Sequence, residues 1–318
     1  MSEELLTVRN LVTHFYTYRG IVKALEGVDL TIGRREVVGL VGETGSGKSV
    51  TALSIMRLIE PPGKIISGEV IFDGKDLLKL SDEEIRSVRG KEISMIFQEP
   101  TLALNPVLTI GLQLQEAIET QDLRKEDAEK LATAMLEKVG LPDPERMFKN
   151  YPHELSGGMA QRAMIAMSLS MKPKLLIADE PTSSLDVTVQ AQILDLMKKL
   201  VEEIGASVLY ITHDLGVAAE TCDKIAVMYT GYIVEFSDVL TMFENPLHPY
   251  TQGLLNAIPK LGYDLYTIGG EVPDLINPPS GCRFHPRCQK ALDICSKVKP
   301  QITEVKKGHL VACHLFKY

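Results

Sequence analysis

No apolar run in this 318-residue sequence approaches the roughly 18 uninterrupted residues that a membrane-spanning helix needs. Mean hydropathy is only +0.03. Basic residues are in deficit. Lys and Arg number 34 against 42 Asp and Glu, for a net charge of −8 and a pI near 5.5. The basic patch of a dedicated binder of nucleic acid or anionic lipid is therefore not expected, and no nucleic acid is expected as a partner. A secretory leader is not expected. The N-terminus, Met1-Ser2-Glu3-Glu4, is acidic where a leader is basic, so the chain reads as cytosolic. Cysteines are few, five in all, and in that compartment suit metal ligation better than disulfides. There is no internal repeat and no low-complexity tract.

What is present is a globular composition, 45% hydrophobic and 24% charged, at a length suited to about two structural units. Strands and helices alternate along the chain. The run 36–41 is short, valine-rich and predicts a buried strand, with a helix from Lys48 to about Ile59 that stops before Pro61-Pro62-Gly63. Strands are expected at 68–73, 92–97, 175–178, 207–212 and 224–228, and a helix at about 188–204. From about 105 to 172 the period is mostly helical, with one proline-containing break at 142–152. The pattern predicts an α/β fold with a mainly parallel sheet, covered on both faces and interrupted by a helical insertion. After about 258 the composition shifts. Residues 259–318 carry six prolines, four of the five cysteines and three of the seven histidines. A segment so small and loop-rich is expected to need a metal to hold together.

Gly42-Glu43-Thr44-Gly45-Ser46-Gly47-Lys48-Ser49 fits G-x-x-x-x-G-K-[ST] between a strand and a helix. Glycines let the backbone curl so that successive N–H groups face phosphate oxygens, and the helix N-terminus adds its positive end. Lys48 is suited to β- and γ-phosphates and the Ser49 hydroxyl to Mg²⁺; Val50 completes the nucleotide-binding set. A chance glycine-rich turn is the alternative, and eight positions in the right context argue against it. Asp179-Glu180 ends the buried run 175–178, the place where parallel strands put ligand sites. Asp179 is the expected Mg²⁺ ligand, and Glu180 the group that orients or deprotonates a water for attack on the γ-phosphate. These motifs alone specify a P-loop ATPase or GTPase.

A third motif narrows the class. Leu155-Ser156-Gly157-Gly158-Met159-Ala160-Gln161-Arg162 resembles the signature sequence of ABC ATPases. Gln98 resembles that family's glutamine loop, Ser183-Ser184-Leu185-Asp186 its D-loop, and His213 its switch histidine. Phe15 or Tyr16 resembles the aromatic that stacks on adenine, with Phe15 preferred. The elements keep the family's order over about residues 5–258. Alone, Gln98 would be an ordinary loop amide, His213 a satisfied surface residue and Phe15 a core ring. The stripe Ala160, Met164, Met167 and Met171 has helical spacing and is read as core.

The resemblance implies an ABC-type nucleotide-binding domain over 1–258, with a helical subdomain at about 100–172 and a small cysteine-bearing extension at 259–318. It implies two ATPs held between two subunits arranged head to tail. Lys48, Gln98, Glu180 and His213 would serve catalysis, and Ser49, Gln98 and Asp179 would hold Mg²⁺. Ser156 and Gly158 would act across the interface on the partner's nucleotide, and Gly157 and Asp186 would belong to the nucleotide-binding set. Asn105-Pro106 with Thr109-Ile110-Gly111, and Asn245-Pro246-Leu247-His248-Pro249-Tyr250-Thr251 with Leu254-Leu255, resemble the dipeptide/oligopeptide importer branch. Met159 resembles the first of that branch's two ATPase subunits. Ser183-Ser184 departs from its common Thr-Ala. The implied partners are a second ABC ATPase subunit in a heterodimer, two transmembrane permease subunits and an extracytoplasmic solute-binding protein. The implied place is the cytoplasmic face of the membrane, peripherally bound. Importers of oligosaccharide or nickel share the branch. A stand-alone ABC ATPase of DNA repair or translation shares the core motifs, but tends to carry two ATPase halves or a long coiled coil.

Cys282, Cys288, Cys295 and Cys313 have five, six and seventeen residues between them. Four thiolates suit a tetrahedral zinc or a [4Fe–4S] cluster. The wide spacing favours the cluster, as does the resemblance, since related importer ATPases carry one there; Zn²⁺ is the alternative. His285, His309 and His314 are fallback ligands, and Cys222 is expected to be a packed thiol.

Overall fold

The computed structural model describes residues 3–119, 125–183, 185–259 and 266–316. Two compact units emerge: Met1–Lys79 with Tyr210–Tyr318, and Leu80–Leu209.

The first unit begins with strands β1 (Glu4–Thr17), β2 (Gly20–Gly33) and β3 (Val37–Val41), helix α1 (Lys48–Ile55), and strands β4 (Gly63–Phe72) and β5 (Lys75–Asp76). Strands β2-β1-β4-β5 form an antiparallel sheet. Sequence reading did not find its β1–β2 hairpin. Register shifts at Val8/Leu11, Leu11/Val12 and Thr13/His14 break the two-residue alternation by which a strand is recognised.

The second unit holds helix α2 (Asp82–Val88), strand β6 (Ile93–Ile96), helices α3 (Pro100–Ala103), α4 (Ile110–Glu119), α5 (Lys125–Lys138), α6 (Pro144–Lys149) and α7 (Gly157–Leu169), strand β7 (Leu175–Asp179) and helix α8 (Val187–Ile204). Strands β6 and β7 pair in parallel, and all four residues of β6 and all five of β7 are buried. The predicted helical stretch is four separate helices, and its residues 120–124 lie outside the described ones. The expected break contains α6, because Asp143 caps it by accepting from the Arg146 N–H and Pro144 suits the first helical position. Strand β8 (Ser207–Thr212) then leads back into the first unit.

There follow helix α9 (Leu215–Thr221), strands β9 (Lys224–Tyr229) and β10 (Tyr232–Asp238), helices α10 (Val239–Glu244) and α11 (Pro249–Asn256), and strands β11 (Thr303–Lys306) and β12 (His309–Val311). Here the strand order is β11-β12-β10-β9-β3. Only β3 and β9 in that run are parallel; β9-β10-β12-β11 are antiparallel, so the sheet is mixed rather than mainly parallel in this unit.

The C-terminal extension is woven into this unit. Its β12 pairs with β10, placing Val311 opposite Glu235. Its Phe284 joins a buried core with Val41, Tyr229, Met242 and Tyr250. Glu235, fully buried, accepts from the N–H groups of Leu247 and His248 and pairs with His309 Nε2 at 2.8 Å. Such a carboxylate is stable in the interior because each of these partners compensates its lost hydration. The extension therefore has apolar anchors and a buried polar staple of its own, where a metal was expected to supply the hold.

Candidate nucleotide site

The cradle forms where β3 stops. Gly42 has no room for a side chain, since a Cβ there would lie 2.2 Å from the Met228 carbonyl oxygen. Gly45 and Gly47 have φ of +80° and +108°, a region costly for any residue with a Cβ. An added Cβ on Gly45 would meet nothing within 4 Å, so the curl is open on that side. Lys48, the first residue of α1, is only 5% exposed, and its Nζ donates to the carbonyls of Gly42 at 2.7 Å and Glu43 at 3.2 Å. Ser46 is buried, and its Oγ has no hydrogen-bond partner among the described residues. A curled, open backbone with a buried ammonium and an unpartnered hydroxyl fits a polyphosphate with Mg²⁺.

Two residues outside the predicted set hold this loop. The Glu43 N–H donates to the Tyr250 hydroxyl at 2.9 Å, and Arg287 grips the Glu43 carboxylate with both terminal nitrogens, at 2.7 and 3.0 Å. Tyr250 was visible only as part of a branch motif and Arg287 not at all. They lie 207 and 244 residues from Glu43, beyond any local pattern.

In the second unit β7 delivers Asp179, buried at its end, and then Glu180. Glu180 has φ of +45° and is followed by a proline, an uncommon backbone state for a residue with a Cβ. The Ser183 N–H and hydroxyl both donate to its carbonyl at 3.2 Å. Gln98, just past β6, donates from Nε2 to Glu180 Oε2 at 3.3 Å, which brings together two predicted catalytic residues. Ser156 caps α7, accepting from the Met159 N–H at 3.4 Å, with Ser156 and Gly157 exposed. Gly158 faces Val189, which an added Cβ would meet at 3.0 Å. Asp186 caps α8 by accepting from Thr188 and Val189 N–H. Ser184 of the expected D-loop lies outside the described residues.

Back in the first unit, His213 is exposed at the end of β8, beside Asp214, which caps α9. Phe15 is half-buried against the Gly63 backbone, whereas Tyr16 is 44% exposed with Lys64 over its ring. The preference for Phe15 is thus not favoured by exposure: the accessible ring is Tyr16.

The four tail cysteines share a neighbourhood but do not form the expected ligand set. None of the five cysteines is in a disulfide. Among the described residues no three His, Cys, Asp or Glu side chains are grouped to hold a metal ion. Burial pushes the Cys282 thiol up to about 11, with Cys295, Cys313 and Cys288 reinforcing the shift, and burial likewise raises Cys288 and Cys313. Cys282 and Cys288 pack against the Phe284 core and Cys295 Sγ accepts from the Leu292 N–H. His314 bonds the Val298 carbonyl and His309 bonds Glu235, so both have structural roles. Cys222 is a packed thiol, raised by burial to about 12.

A phosphate cradle on a strand-to-helix turn, and an acidic strand end following a signature helix, define an ATP-hydrolysing cassette of the P-loop class. Residues 25–183 match the ABC transporter family model, and the chain belongs to that family. Residues 234–295 also match the model described as oligopeptide/dipeptide transporter, C-terminal region. The chain is 50% identical to the probable peptide ABC transporter ATP-binding protein y4tR of Sinorhizobium fredii, covering 98% of this chain and 95% of that protein. It is 49% identical to the oligopeptide transport ATP-binding protein AppD of Bacillus subtilis, covering 98% and 97%. Among solved structures, the dimeric post-hydrolysis ATP-binding cassette MJ0796 bound to ADP and Pi is similar with a TM-score of 0.67 and 30% identity, covering 74% of this chain and 99% of that one.

Proposed function

We propose that the chain is the ATP-hydrolysing subunit of a dipeptide- or oligopeptide-type importer, paired head to tail with a second ATPase subunit. The observation that carries the cargo class is the match of 234–295 to the oligopeptide/dipeptide C-terminal region, beside relatives named for peptide, dipeptide and oligopeptide transport. Those names favour peptides over oligosaccharide or nickel. The partners of this reading are two permease subunits and an extracytoplasmic solute-binding protein, with the chain peripheral on the cytoplasmic face of the membrane. Among the described residues no helix is long and apolar enough to cross a membrane, which accords with a peripheral place.

In this reading Lys48 and backbone N–H groups of the curl other than those of Glu43 and Ser46 would hold the phosphates of ATP, and Ser49, Asp179 and Gln98 would be the residues to hold Mg²⁺, whose charge would offset that of the phosphates. Glu180 accepts the proton of the attacking water, and its hydrogen bond from Gln98 fixes the carboxylate's direction. His213 and Lys48 steady the charge that grows on the γ-phosphate. Ser156, Gly157 and Gly158 offer N–H groups at a helix start to the partner's nucleotide, and Asp186 stands at the next helix start. Tyr16, the exposed ring, or Phe15 stacks on adenine.

The tail is a separate part of the reading. The wide spacing of the four thiols in the sequence, with the resemblance, supports a [4Fe–4S] cluster on Cys282, Cys288, Cys295 and Cys313, with Zn²⁺ second. Their present arrangement does not, and no step above passes through such a group. Iron and acid-labile sulfide in anaerobically prepared protein decide it: about four of each per chain is the cluster result, and neither iron nor zinc leaves packed thiols.

Uptake of labelled di- and oligopeptides by cells carrying the assembled transporter tests the function. Lys48→Ala is expected to abolish uptake while the subunits still assemble. Unchanged uptake would refute the role of this chain.

A further inference from the structure

Glu43 is an awkward residue for its position. It is the second residue of a loop that grips a polyanion, and an unpaired carboxylate there repels the ligand. In this chain every polar group of Glu43 is committed. Its N–H donates to Tyr250 at 2.9 Å, and its carbonyl accepts from Ser46 N–H at 3.1 Å and Lys48 Nζ at 3.2 Å. Both carboxylate oxygens accept from Arg287.

Arg287 is itself locked. Its side chain is 5% exposed, its guanidinium lies against the faces of Tyr229 and Phe284 at 5.8 and 6.0 Å, and its Nε donates to the Gly269 carbonyl at 3.0 Å. Gly270, at φ +76°, leaves room for the aliphatic stem; a Cβ there would stand 3.1 Å from Arg287 Cγ. A planar fork held this way loses little freedom on pairing and holds its partner in one geometry.

We propose that Arg287 of the C-terminal extension is a positioning residue for nucleotide binding, which neutralises Glu43 and holds the cradle in its phosphate-receiving curl. The extension thereby helps set ATP affinity from outside the cassette motifs. This rests on the reading of 42–50 as the ATP cradle. Arg287 acts through Glu43, which both its terminal nitrogens hold, so its effect belongs in KM and Kd rather than in kcat.

The test is equilibrium binding of Mg-ATP to the full-length chain, with steady-state hydrolysis and thermal melting on the same preparations. Arg287→Gln is expected to weaken ATP binding about tenfold or more and raise KM in step, with kcat within about threefold. Arg287→Lys, with one point of charge and no fork, is expected to fall between. Adding Glu43→Gln to Arg287→Gln removes the stranded carboxylate and is expected to recover at least about threefold of the lost affinity, a coupling that loss of packing alone does not produce. Arg287→Gln binding ATP as the wild type does would overturn the proposal. So would equal weakening in the single and double variants with a common drop in melting temperature, which marks a structural role only. If the wild-type chain fails to bind Mg-ATP, or Lys48→Ala binds as well as wild type, the fault lies in the cradle reading itself, and this proposal falls with it.

Discussion

Glu180 combines a backbone φ of +45° with a following proline and a hydrogen bond from Gln98. Strain of this kind, of order 1–3 kcal/mol, persists only where the surroundings impose it, and here it accompanies the residue assigned to water. Glu180→Gln keeps the shape and removes the base, so hydrolysis is expected to fall about 100-fold or more with Mg-ATP binding retained. Hydrolysis at the wild-type rate in a single-turnover assay would remove Glu180 from that role. Gly42 makes the other residue-scale prediction. A methyl group 2.2 Å from the Met228 carbonyl cannot be accommodated without moving β9 or the loop, so Gly42→Ala is expected to abolish ATP binding and lower stability by about 1–3 kcal/mol. Wild-type affinity and melting temperature in that variant would show the loop to be slack. Both residues were legible in the sequence because their context is local: an apolar run, then the residue. The strain at Glu180 and the Met228 contact were not, since neither backbone torsion nor a neighbour 186 positions away (228 − 42) leaves a mark in a short window.

Helix starts carry much of the chemistry at the scale of elements. Ser156, Asp186 and Asp214 each cap the helix that follows a functional motif. Asp186 accepts two N–H bonds, and Asp186→Ala is expected to cost about 1 kcal/mol of stability, measurable by denaturant unfolding. No loss would mean that α8 is held by its buried face alone. Period made α8 legible almost to the residue, and the buried runs of β7 and β8 equally so, whereas α7 was legible only as part of a longer helical stretch. What stayed hidden were β1 and β2, whose bulges scramble alternation, and the short strands β11 and β12, which gain their identity from pairing. Helix α1 stops at Ile55 rather than Ile59, with Arg57 at φ +51°, a turn with no glycine or proline to announce it.

At the scale of the whole molecule, the extension is bound to the first unit by Phe284, by the Glu235–His309 staple and by Arg287 on Glu43. Composition marked it as different, yet its partners are scattered over more than 200 residues of sequence, which is why it read as a segment in need of a metal. Phe284→Ala opens a cavity in that core and is expected to cost about 3–5 kcal/mol by denaturant unfolding. His248 adds a pH signature. It is fully buried, accepts from the Tyr250 N–H, and burial depresses its pKa from 6.5 to about 3. The unfolded chain binds this proton first, so the neutral ring stabilises the fold above about pH 6.5, and that contribution drains away as the pH falls toward 3, by up to about 1.4 kcal/mol per pH unit. His248→Asn should flatten the stability profile between those limits; an unchanged acid slope would assign it to other groups.

The central claim is that this chain supplies one face of each ATP site and its companion the other. Hydrolysis measured while a fixed amount of the chain is titrated with the second ATPase subunit tests it most directly. The account predicts turnover per chain that rises steeply and then saturates at one companion per chain, and that fails to rise when both signature serines, Ser156 here and its counterpart, are replaced by arginine. A chain that stays monomeric by light scattering and hydrolyses ATP at a full, concentration-independent rate would contradict it.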